Sequence, residues 1–154
     1  MTQTPRHSRV LAMTAVIQTD RLGKRYGDAR GIEDLTLTVD RGEVFGFLGP
    51  NGAGKTTTIR TLLDLQHPSG GSARVFGLDS HRESRAIRAR LGNLPGEFAY
   101  DEAMTGGQLL AFFAKLRGVT SLERAHALAE RFEADLERPL RELSRGNRQK
   151  IGLI

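Results

Sequence analysis

The sequence predicts an α/β fold, on three observations. The first part of the chain reads as strands, with apolar and polar residues alternating at 35–40 as in a strand with one buried face. A nearly continuous apolar run at 44–48 leads through a glycine-rich loop into helical spacing at Lys55. Beyond residue 98 the pattern is almost wholly helical.

Each element has its own signal. "AVIQTDRLGKRYG" reads as a strand closed by a turn at Gly27. Leu35, Leu37 and Val39 alternate with Thr36, Thr38 and Asp40, the mark of a half-buried strand. Arg41-Gly42 makes a turn, and 44–48 follows as a strand of the fully buried kind. A helix runs from Lys55 through Ile59, Leu62 and Leu63 until "HPSGG" breaks it. "SARVFGL" is another strand. Ser80 and Glu83 have capping-box spacing and open a basic helix to about Leu91.

"GNLPGEFAYDEAM" is a loop by its glycines and proline. Thr105 and Gln108 form a second capping-box pair, leading into a helix that stops at Gly118. A further helix is expected from about Ser121, with Leu122, Ala125, Ala129, Phe132 and Leu136 on one face, until Pro139. Four segments follow from this pass. Residues 1–13 are an N-terminal extension, disordered or upstream of the true start at Met13. Residues 14–97 hold the β-rich part and the loop core, 98–142 a helical subdomain, and 143–154 the start of a last helix.

With 154 residues, 38% hydrophobic and 27% charged, the chain can bury one domain's core. The net charge of +5 suits polyanionic partners such as nucleotides, nucleic acids or anionic lipids. The basic excess is scattered, with arginines at Arg82, Arg85, Arg88 and Arg90 and Glu83 between the first two, and only 6% of residues are aromatic. That is a solvated face rather than a base-stacking groove, so no direct nucleic-acid binding is expected. The absence of cysteine excludes disulfides and thiolate metal sites and is compatible with the cytoplasm. No apolar run approaches the ~18 residues of a membrane span.

Gly49-Pro50-Asn51-Gly52-Ala53-Gly54-Lys55-Thr56 satisfies G-x-x-x-x-G-K-[ST], the Walker A or P-loop pattern, at every fixed position. Glycines let backbone N–H groups approach phosphate oxygens and permit positive φ. The helix beginning beside Gly54 aims unpaired N–H groups and its positive dipole end at the same oxygens. Lys55 adds a full charge near the β- and γ-phosphates, and the Thr56 hydroxyl is placed to ligate Mg²⁺. The expected ligands are therefore ATP and Mg²⁺.

"GPNGAGKTT" at 49–57 together with "LSRGNRQK" at 143–150 resembles the ATP-binding subunit of ABC transporters. The resemblance covers nearly the whole chain from about Val16. It implies a P-loop NTPase core of the RecA-like kind, preceded by antiparallel strands and carrying a helical subdomain. The second motif is a divergent form of the family signature L-S-G-G-Q. Leu143, Ser144 and Gly146 match, Arg145 replaces a glycine, and Asn147 replaces the glutamine. By resemblance, Ser144 and the Gly146 amide would face the γ-phosphate held by a second subunit's loop. Thr57 belongs to the loop motif, and Tyr26 in "KRYG" matches the family's adenine-stacking aromatic.

Where the family carries a Mg²⁺-touching glutamine this chain has Gly96, followed by Glu97, so that contact is in question. The "PGE" form resembles the bacterial drug- and antibiotic-export branch, whose permease is a separate chain. The implied partners are a second ATPase subunit, as homo- or heterodimer, and that transmembrane permease. The implied place is the cytoplasm, at the inner face of the cell membrane. The family's later aspartate, glutamate and histidine have no counterpart after Ile154. The C-terminal part of the core sheet is thus expected to be missing, leaving 44–48 without a neighbour. No catalytic residue is assigned, and hydrolysis is expected of an intact protein. The competing expectations are a soluble ABC-type ATPase acting on nucleic acid or ribosomes, and a remnant that only binds nucleotide.

Overall fold

The structure, a computed structural model, describes residues 15–27, 29–96 and 100–154. The expected extension at 1–13 lies outside them. The chain divides into two compact units, Met1–Gly92 and Asn93–Ile154.

The first unit is built on a four-stranded antiparallel sheet in the order β2-β1-β3-β4. β1 (Ala15–Tyr26) and β2 (Ala29–Asp40) form a long hairpin turning at Gly27, with Tyr26 opposite Ala29. The alternation in β2 is as expected: Val39 is buried, Leu35 and Leu37 half-buried, Thr36 and Thr38 exposed. β3 (Gly70–Val75) pairs with β1 and turns at Phe76-Gly77 into β4 (Leu78–Asp79). Leu22, fully enclosed, joins Ile32 and Ala73 in a core against which Leu35 and Leu62 pack. Leu62 closes α1 (Lys55–Leu62), so one helix covers this cluster.

The strand expected at 44–48 is not one. The segment pairs with no strand among the described residues, and Val44 is 100% and Leu48 91% exposed. Its composition suits a strand flanked on both sides; without a ladder partner its amides and side chains face solvent.

The capping box expected at Ser80–Glu83 is also displaced. Asp79 instead organises the turn that precedes the helix, accepting from the His81 and Arg82 amides at 3.0 and 2.9 Å, and the helix starts after Glu83 with no side-chain cap. Glu83 reaches back to the Asp79 amide at 2.8 Å. Asp79 is the stronger acceptor because it carries full charge, and Ser80 is buried, its amide bonded to the Ala73 carbonyl. The helix that follows, α2 (Ser84–Arg88), is shorter than its basic pattern suggested.

In the second unit Thr105 caps α3 (Gly106–Arg117) in a complete capping box with Gln108, and Gly118 ends the helix at φ 67°. α4 (Glu123–Phe132) stops well short of Pro139. Glu133 turns left-handed at φ 51°, which frees Leu136 to pack into the unit's core rather than along a helix face. That core gathers Leu109, Leu140, Leu143 and Ile151. Leu143 and Ile151 bracket the start and end of α5 (Arg145–Leu153), holding it to α3.

Candidate functional site

The loop at 49–54 opens α1, and β2 fixes where it ends. Gly52 and Gly54 adopt φ of 84° and 83°, a region L side chains rarely occupy. At Gly54 space is restricted as well: a Cβ there would overlap the Gly31 carbonyl of β2. The Ala53 amide donates to the Pro50 carbonyl at 3.2 Å, and the Thr58 amide to Gly54 at 2.8 Å. The amides of Lys55, Thr56 and Thr57, in the first turn, precede that first helical bond. No side chain caps this helix and no acidic residue lies in its first turn, so its positive end is not neutralised from within.

Lys55 folds back over the loop, its ammonium donating to the Gly49 and Pro50 carbonyls, each at 2.6 Å. Asn51, Gly52, Ala53 and Thr56 are exposed, and Thr57 is half-buried. The arrangement presents a cation, a run of amides and a hydroxyl on one short stretch, the chemistry needed to hold a polyphosphate.

Tyr26 connects to this stretch by a route the sequence did not reveal. Its hydroxyl donates to Gln66 Oε1 at 2.6 Å, and Gln66 Nε2 donates to the Thr57 carbonyl at 2.7 Å and reaches Thr61 Oγ1 at 3.2 Å. Tyr26 is 49% exposed, with the Lys24 ammonium 5.3 Å from its ring centroid. Gln66 and Gly31 were missed because neither lies in a motif. Only Gly31's position opposite the loop gives it significance, and no linear signal carries that.

Ser144 and Gly146 stand in the second unit. Ser144 is the N-cap of α5, its Oγ accepting from the Asn147 amide at 3.2 Å. Gly146 is exposed in the first turn, which also contains no acid. Asn147, at the glutamine position of the signature, turns toward its own unit: Oδ1 accepts from the Asp135 amide at 3.1 Å. Asp135 is itself held by Arg138, whose Nε is 2.6 Å from Oδ2, and its pKa lies below the usual carboxylate range because of that bond and the Arg138 and Glu137 amides. Gly96 is exposed, and Glu97 lies outside the described residues.

Comparison with known proteins gives a consistent picture. The family model described as ABC transporter matches residues 32–154. A daunorubicin resistance ATP-binding protein of Streptomyces coeruleorubidus is 43% identical over 142 residues, covering 89% of this chain and 45% of its own length. A Nod factor export ATP-binding protein of Cupriavidus pinatubonensis is 38% identical, covering 92% of this chain and 45% of its own. A solved ATP-binding subunit of an ABC transporter superposes with a TM-score of 0.77 at 27% identity, over 90% of this chain and 60% of that one. The chain thus spans less than half the length of the curated relatives it matches.

Proposed function

This chain belongs to the ABC transporter family, and we propose from that premise that it is part of an exporter's ATP-binding subunit, holding Mg-ATP at residues 49–57. One observation carries the reading: Gly54 is wedged against the Gly31 carbonyl beneath an uncapped helix end, with the Lys55 ammonium folded over the same loop. The intact members of the family are ATPases that bind ATP.

In the proposed site the unpaired backbone N–H groups between Asn51 and Thr56 bind phosphate oxygens, and Lys55 exchanges the Gly49 and Pro50 carbonyls for the β- and γ-phosphates. Thr56 is the residue that would hold Mg²⁺, which when bound would supply positive charge to offset that of the phosphates. Tyr26 offers its exposed ring to adenine, with Gln66 tying it to the carbonyl of Thr57. In a dimer, Ser144, the N-cap of α5, and the Gly146 amide of a second subunit would meet the γ-phosphate at the start of that helix, again an anion at a helix N-terminus. Hydrolysis belongs to the intact protein, coupled to a separate permease at the inner face of the cell membrane. The relatives named for daunorubicin resistance and Nod factor export support the export reading.

Calorimetry tests the binding step. Lys55→Ala removes the charge that holds the phosphates, and ATP affinity should fall on the order of 100-fold, since hydrogen bonds to charged groups contribute about 1.5–3 kcal/mol each. Unchanged affinity would remove the loop from the site.

A further inference from the structure

Three metal-ligating side chains converge where α1 ends, away from the loop that opens it. Asp64 follows α1 in a left-handed turn (φ 57°), His67 lies in the connection to β3, and His81 follows β4. Asp64 Oδ1 is 2.8 Å from His81 Nδ1 and 3.3 Å from His67 Nδ1. The three donor atoms all lie within 4.8 Å of one another, and the two rings meet edge to face with centroids 4.2 Å apart.

Asp64 is mostly enclosed, its side chain 14% exposed, while the imidazoles are about 60% exposed. Ser84 also hydrogen-bonds the Asp64 carboxylate. Its other oxygen, Oδ2, faces Arg88 at 3.8 Å, and that guanidinium donates to the Leu63 carbonyl at 3.0 Å. Arg88 thus lies on the Oδ2 side, and both rings on the Oδ1 side.

A surface ion pair needs one imidazole. Here two imidazoles present the same nitrogen to a single carboxylate oxygen, so satisfying both by hydrogen bonding requires a proton on each Nδ1. A divalent cation replaces both protons at once. A tetrahedral ion with bonds of about 2.0–2.1 Å needs donors roughly 3.3 Å apart, which small rotations of exposed rings supply. Two imidazole nitrogens and one carboxylate oxygen suit borderline cations such as Zn²⁺ rather than Mg²⁺ or Ca²⁺, which take oxygen.

We propose that Asp64, His67 and His81 form a binding site for a zinc-class divalent cation, with solvent completing the coordination. The ion would clip the end of α1 to the segment after β4 within the first unit. The site shares no residue with the proposed nucleotide loop.

The test uses ZnCl₂ alone, without nucleotide, on the 154-residue chain produced without a histidine tag. Calorimetry should show one ion bound per chain. His67→Gln and His81→Gln should each weaken binding by on the order of 10- to 100-fold or more, while His126→Gln and Lys55→Ala leave it unchanged. Co²⁺ should give the visible absorption of a tetrahedral centre, lost in His81→Gln. A measurement without variants guards against misfolding: Zn²⁺ should protect His67 and His81, but not His126, from diethyl pyrocarbonate, as read by mass spectrometry. Absence of saturable binding, binding that survives the double substitution, or equal modification with and without Zn²⁺ would each overturn the site.

Discussion

Gly54 carries two constraints at once, an unusual φ and a missing Cβ, and Gly52 carries only the first. Substituting each by alanine separates them. Gly52→Ala should cost about 1 kcal/mol for the left-handed backbone, whereas Gly54→Ala adds the overlap with Gly31 and should cost about 2–3 kcal/mol or more. Urea denaturation with an unchanged m-value reads the difference; equal costs would mean that β2 does not fix the loop. The motif was legible because its residue types have chemical reasons at fixed spacing. Gly31 and Gln66 were not, because both act through space, from β2 and from the residues after α1.

Among the elements, capping shows what local sequence can and cannot decide. Thr105 and Gln108 cap α3 as their spacing says, with both bonds of the box formed. Thr105→Ala should therefore lower stability by about 1 kcal/mol, seen as a lower urea midpoint. Ser80 has the same spacing to Glu83 and loses to Asp79 one position earlier, since tertiary pairing buries Ser80 beside β3. α4 similarly ends at Glu133 because Leu136 is drawn into the core with Leu109 and Ile151, a pull that periodicity does not contain. The link before α5 has a pH signature. The folded pKa of Asp135 is depressed, so its contribution is complete above the unfolded value of about 3.9 and is lost as pH falls through the lower folded value. Carboxyl NMR titration should place its midpoint below that of a free aspartate, and Arg138→Ala should raise it; a midpoint unmoved by that change would remove Arg138 as the cause.

At the scale of the whole chain, the α/β character, the strand hairpin and the helical second part were readable from periodicity. The state of 44–48 was not readable from its own letters. An apolar run states what a segment can bury against, and burial also requires neighbours, which these described residues do not supply. The loop is consequently held unequally. Its downstream end abuts Gly31, whereas upstream of Pro50 no ladder fixes it. Mechanically this is a cantilever, clamped at one end, and such a beam responds to load where it is unsupported. Saturating Mg-ATP, at about 100 times its Kd, should stabilise the chain by about 2.7 kcal/mol, and amide exchange should slow most at 44–50 rather than in α1. Uniform slowing along the loop and helix would show instead that the cradle is already stiff before any phosphate arrives.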